Sequence, residues 1–375
     1  MKIIMFVLMT ASLQSIAGGP ACTGFGETKV SWPTNDPIFE LCYLGPNTSS
    51  SVDGSSLEIR DVYLNGHYAI ERSHIPMLFA DYDDGHTCYR DWKDTLSNFL
   101  KADQVENPTR AAITTCDVSI SPTQQVESCP FFDLSTATVG DKVGSAADCF
   151  AGVQVEKYAD RMVLTTNHSA EWYKYSSRYT FYLDGRIEPR FGFGNSNGTN
   201  SHITHWHHAY WRVNFDIDGP DDDQVFTDAN LMNAEFFDLR NQGTNRNWTV
   251  KDSVTGRGYR VEASAEDYLV SGQTTGNLFH TTDVMVTKYK LYNNGTLTEY
   301  SDSPGQNNLN NCAMNQNQLV NGETLVGEDV VFWYRAAVND IANQGMVCKF
   351  AGPIFYPVGD WGLPAADLIF ENGFE

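Results

Sequence analysis

Hydrophobic and polar residues alternate along much of this chain, and the alternation defines strands. In the run "HITHWHHAYWRVNFDIDG", residues 202 to 219, the odd positions His205, His207, Ala209, Trp211, Val213, Phe215 and Ile217 make one face. Trp206, His208, Tyr210, Arg212, Asn214, Asp216 and Asp218 make the other, as the two-residue period of a β-strand dictates. In "WYKYSSRYTFY", Tyr173, Tyr175, Ser177, Tyr179 and Phe181 share a face. In "DVVFWYRAAVNDI", Val330, Phe332, Tyr334, Ala336 and Val338 form an apolar face that Asp340 continues. Turn dipeptides link such runs: Asn65-Gly66 in "LEIRDVYLNGHYAIER", Asp184-Gly185 in "YTFYLDGRIEPRFGF", and a third in "YKLYNNGTLTEY". The best helical spacing is in "RDWKDTLSNFLKA", where Trp92, Leu96, Phe99 and Leu100 fall together. The pattern predicts an all-β chain, a large β-sandwich with few short helices. It assigns residues 1–17 to a leader, 18–362 to one sandwich and 363–375 to a tail.

Composition narrows the class. A content of 41% hydrophobic and 13% aromatic residues supplies a large core. The formal net charge of −22 excludes nucleic acid and anionic membrane surfaces as partners and favours cationic ones such as protonated amines. Lys2, the apolar run Ile3 to Leu8, and Ser15-Ile16-Ala17 before Gly18 read as a secretory signal. That apolar stretch is too short to span a bilayer as a mature helix. All eight cysteines follow it, none as CxxC, so disulfides in a secreted, periplasmic or extracellular protein are expected rather than cysteine-ligated zinc.

The chemistry concentrates where apolar faces end. Four of nine histidines, His202, His205, His207 and His208, lie within seven positions. His205 and His207 begin the apolar face of their strand, whereas His208 lies on its polar face and is read as solvated or second to the site. Asp340 ends the apolar face of another strand, and a buried carboxylate needs a cation, hydrogen bonds or a metal. Each signal alone also has a structural explanation: a hydrogen-bonded His-x-His, an Asp just past a strand end, a tyrosine in the core.

Together these residues resemble the copper-containing amine oxidases. "HWHHAYWRVNFDIDG" is similar to that family's copper-ligand segment, with His205, His207, Arg212, Asp216 and Gly219 at the family's spacings. "LEIRDVYLNGHYAIERSHIPMLFADYDDG", "MVLTTNHSAEWYKYSSRYTFYLDGRI", "DVMVTKYK" and "DVVFWYRAAVND" resemble further stretches in the same order, over roughly residues 55 to 361. The resemblance implies oxidative deamination of a primary amine by oxygen, releasing aldehyde, peroxide and ammonia, with copper(II) and a topaquinone made from a tyrosine. It places the quinone precursor at Tyr173, a tyrosine that hydrogen-bonds the quinone at Tyr82, and the catalytic base at Asp91 or Asp94. Copper ligands fall at His205 and His207, and Asp340 stands where the family has its third histidine. A peripheral calcium site falls on Asn214, Asp216 and Asp329 with the carbonyls of Phe215 and Val330. Cys116 and Cys149 fall near a family disulfide, and the family implies a homodimer.

Departures from the family keep other readings open. The Asn-Tyr-Asp/Glu signature is Trp172-Tyr173-Lys174 here, and the glycine-rich motif around the base is missing. The first reading is a secreted quinone-copper amine oxidase. The second is a catalytically degenerate relative that binds or builds without turnover. The third is a non-copper metalloenzyme using two histidines and one aspartate, a set that also suits iron, zinc or manganese.

Overall fold

In the computed structural model, the residues described are 18–45, 48–50, 56–83, 88–90, 153–170, 173–195, 203–268, 282–290, 320–344 and 347–364. They contain β1 (Thr28–Trp32), β2 (Phe39–Leu44), β3 (Glu58–Leu64), β4 (His67–Tyr82), β5 (Cys88–Arg90), β6 (Gln154–Lys157) and β7 (Arg161–Ala170). Next come β8 (Tyr173–Tyr182), β9 (Ile187–Asn195), β10 (His205–Asn214), β11 (Asp223–Thr227), β12 (Asn230–Met232) and β13 (Phe236–Asp238). The last are β14 (Asn247–Asp252), β15 (Gly258–Ala263), β16 (Val284–Lys288), β17 (Val330–Asp340), β18 (Val347–Ala351) and β19 (Pro353–Val358).

The strands build two antiparallel sheets. The first runs β1-β2-β3-β4-β10-β17-β16-β13, with β5 on β4. The second runs β12-β11-β14-β15-β19-β9-β8-β7-β6, with β18 on β9. One apolar core joins them, with Ala209, Trp211, Val213, Phe332 and Tyr334 from the first sheet against Tyr175, Tyr179, Phe181, Phe191 and Phe193 from the second. The expected all-β sandwich is therefore present. Two of the expected hairpins are seen: β3–β4 turns at Asn65 and Gly66, both with positive φ (48° and 80°), and β8–β9 at Gly185 (φ 82°). Such left-handed backbone suits Asn and Gly and matches the twist of the flanking strands. The third expected hairpin, the helix at 90–102, the leader and most of the tail lie outside the described residues.

β10 sits between β4 and β17, and every residue of β10 and β17 is buried. This corrects the reading of the even face of β10 as polar and solvated. Met77, Phe79, Tyr210, Met285, Val331 and Trp333 form a second apolar cluster on that outer face. His208 is fully buried there, its Nδ1 accepting from Arg335 Nη1 at 2.9 Å. A cation can only donate, so the proton of the neutral imidazole is on Nε2. Arg335 in turn pairs with Asp283, which also holds Arg240 at 3.1 Å. The described disulfide joins Cys22 to Cys42 and ties the segment before β1 to β2; Cys116 and Cys149 lie outside the described residues.

Candidate functional site

Register brings the predicted residues together at one end of β10. His205 lies opposite Asp340 of β17 on one side and opposite Tyr82 of β4 on the other, so three strands deliver one cross-strand row. The Tyr82 ring stacks on the His205 ring, with centroids 4.6 Å apart and an interplanar angle of 12°. His207, two residues on, shares the inner face, and its ring centre is 4.9 Å from that of His205. The facing sheet closes over His207: Phe193 stacks on it at 4.0 Å, and the Tyr175 hydroxyl lies 2.9 Å from its Nδ1.

Both imidazoles are oriented through Nδ1. His205 Nδ1 donates to the Ile203 carbonyl at 3.1 Å, which leaves its Nε2 with the lone pair. That Nε2 is 3.9 Å from Asp340 Oδ2, beyond a hydrogen bond. It approaches the separation of two ligands each about 2.0 Å from one ion between them. Burial lowers the His205 imidazole to about 4, and it holds His207 well below the ordinary histidine value. Both rings are thus neutral at pH 7, the form that binds metal. Nδ1 engaged by an outer partner while Nε2 serves the ion is the usual arrangement of a metal-ligating histidine. The donor types and orientations therefore fit a transition-metal ion. Among the described residues, however, no three of His, Cys, Asp and Glu already close to the geometry of a metal-binding group.

A second cluster lies at the far end of β10, nine residues or roughly 30 Å along the strand. Asn214 ends β10, and with its amide turned to donate it reaches the Val330 carbonyl at 2.7 Å and Asp329 Oδ1 at 3.0 Å. Asp216 is buried beside Asp329, and burial first, then that neighbour, pushes its carboxyl up to about 8. Asp223 is buried too and pushed up to about 9, mainly by burial. Its Oδ1 is buried with no hydrogen-bond partner among the described residues. Carboxylates this crowded cannot all ionise without a cation. The predicted Asn214, Asp216, Asp329 and Val330 do converge here, and Asp223 joins them.

Other predicted residues fall outside the described part of the structure. Asp91 and Asp94 lie outside the described residues. The Tyr173 backbone opens β8, in register with Ala170 and Asn195, and its side chain is outside the described part. Tyr175, Phe193 and Asp223 were not singled out from the sequence as site residues. Alternation already placed Tyr175 on the face of Tyr173, but its partner is 32 residues away in the other sheet.

The described architecture matches solved structures of copper amine oxidases. The amine oxidase of Aspergillus nidulans aligns at TM-score 0.55 and 14% identity, over 96% of this chain and 56% of that one. A copper-containing benzylamine oxidase from Hansenula polymorpha aligns at 0.57 and 13%, over 95% and 63%. The lysyl oxidase of Pichia pastoris aligns at 0.52 and 13%, over 86% and 52%. This chain has the β-sandwich fold of those enzymes and spans between about half and two thirds of their length. No protein-family model and no curated protein matches it. Among the described residues no helix is long and apolar enough to cross a membrane.

Proposed function

We propose that the protein is a secreted copper amine oxidase-like enzyme that oxidatively deaminates a primary amine, with the single sandwich domain at 18–362 carrying the site. The supporting observation is the row Tyr82–His205–Asp340 with His207 beside it: two neutral imidazoles, each oriented through Nδ1, next to a buried carboxylate. In this reading His205, His207 and Asp340 hold the ion, and the Tyr173 side chain is the quinone precursor. A bound copper ion and its quinone supply the electron sink and the route to oxygen. The chain's own residues do the rest. Tyr175 holds His207 in place across the sheets, Ile203 sets the tautomer of His205, and Tyr82 fixes the ring by stacking. Asp91 or Asp94 takes the substrate proton. A peripheral calcium ion sits among Asn214, Asp216, Asp329 and the carbonyls of Phe215 and Val330. Cys116 pairs with Cys149, and the protein works as a homodimer on amine and oxygen.

The non-catalytic alternative rests on Asp340 standing where the family has its third histidine and on Trp172 beside Tyr173. A protein of this kind would bind an ion without turning over amine. Amine-dependent peroxide release, measured on the aerobic copper-loaded protein and on Tyr173→Phe, separates the two. Release by wild type that vanishes in Tyr173→Phe supports the oxidase; equal traces from both sink it.

A further inference from the structure

Lys349 stands in β18, in register with Phe193 of β9, whose ring stacks on His207. Its Nζ donates to Asn339 O at 2.6 Å, to Asn339 Oδ1 at 2.7 Å and to Gln344 Oε1 at 3.3 Å. Three acceptors meet three N–H groups, a set that an ammonium fills and a neutral amine, with two, does not. All three acceptors are uncharged, so the hydrogen bonds fix the cation without cancelling it. Asn339 immediately precedes Asp340. A positive charge is thus clamped one residue from the carboxylate that replaces a neutral imidazole.

The charge balance follows. An Asp in place of a third imidazole adds one negative charge to the site, and Lys349 adds one positive charge next to it. Burial lowers the Lys349 pKa, and the negative charge of Asp340 opposes that shift. We propose that Lys349 is the fixed counter-charge of the His205–His207–Asp340 site, lowering its affinity for divalent relative to monovalent ions. The inference rests on the metal-binding reading above. Lys349 touches neither substrate nor ion; it is a specificity-determining residue acting through its field, and a doubly charged ion feels twice the repulsion of a singly charged one.

The test is a titration of the metal-free full chain with Zn²⁺ and, separately, with Ag⁺, in wild type, Lys349→Gln, Lys349→Arg and His207→Ala. Circular dichroism and melting curves establish that each variant is folded. Lys349→Gln should bind Zn²⁺ about tenfold more tightly and Ag⁺ only about threefold, while Lys349→Arg behaves as wild type. His207→Ala should abolish the tight phase. Should Lys349→Gln fail to fold, Lys349→Met, which removes the charge and keeps the apolar stem, should tighten Zn²⁺ binding in the same sense. Unchanged or weaker Zn²⁺ binding in the folded charge-neutralised variant overturns the proposal alone, and so does an equal gain for both ions. Failure of wild type to bind either ion, or binding that survives His207→Ala, overturns the metal reading and this proposal with it.

Discussion

The Tyr175 hydroxyl lies 2.9 Å from His207 Nδ1, a buried contact that bridges the two sheets at the candidate metal centre. The same tyrosine ring packs against Phe193, which itself stacks on His207. The imidazole is therefore held on its face and at Nδ1 by the opposing sheet. Outer partners of this kind usually matter to metal affinity by about 10- to 100-fold. Tyr175→Phe keeps the ring and removes the hydroxyl. Metal titration should show an affinity loss in that range, while unfolding free energy falls by only about 1 kcal/mol. An unchanged affinity would leave Tyr175 as core packing.

Asp340 offers a contrast between stability and function. It is 3% exposed at the end of β17, and its Oδ2 stops 3.9 Å short of His205 Nε2. A buried carboxylate retained for an ion contributes little to the metal-free fold. Asp340→Asn should cut divalent-ion affinity at least about tenfold and leave the metal-free melting temperature the same or higher. A large drop in melting temperature with unaltered metal binding would make Asp340 a structural residue instead.

At the other end of β10, burial, aided by neighbouring carboxylates, holds the Asp216 and Asp223 carboxyls up to about 8 and about 9. Calcium bound there would stabilise the folded chain by mass action, about 2.7 kcal/mol at a hundredfold excess over Kd. Thermal melts should rise with calcium in wild type and stay flat in Asp216→Asn. An equal rise in both proteins places the ion elsewhere.

Acid stability has a separate origin on the outer face of the first sheet. Burial keeps His74 neutral, lowering its pKa to about 3 against the pull of Glu58. Burial alone would raise Glu58, but His74, Arg60 and Arg72 outweigh it and bring the carboxyl down to about 2. Both folded-state values lie below the unfolded ones, so the unfolded chain binds more protons and stability falls as pH falls. The His74 loss begins near 6.5 and runs toward 3; the Glu58 loss begins near 4.5 and runs toward 2. Denaturant midpoints between pH 7 and pH 4 should decline in wild type and decline less in His74→Gln. Parallel slopes would contradict this assignment.

Much of the fold and part of the site were legible in the residues. Period-two alternation placed His205, His207 and Asp340 on inner faces, because strand geometry leaves no other choice once one face is apolar. The Asn65-Gly66 and Asp184-Gly185 turns could be read for the same local reason. The fate of His208 could not. Whether the second face of β10 is dry depends on its neighbours in the sheet, and Met77, Met285 and Trp333 come from three other strands. Tyr175 as partner of His207, and Lys349 as neighbour of Asp340, join positions in different strands, which alternation within one segment does not pair.

A quinone made from Tyr173 beside a metal held by His205, His207 and Asp340 would give the protein a visible absorption band. The direct measurement is the visible spectrum of the purified protein after aerobic incubation with cupric ion, before and after phenylhydrazine. A broad quinone band that shifts on forming the hydrazone, and is absent in Tyr173→Phe, is the predicted result. A spectrum without that band in copper-loaded wild type would contradict it, leaving an amine-oxidase fold that binds metal without the cofactor.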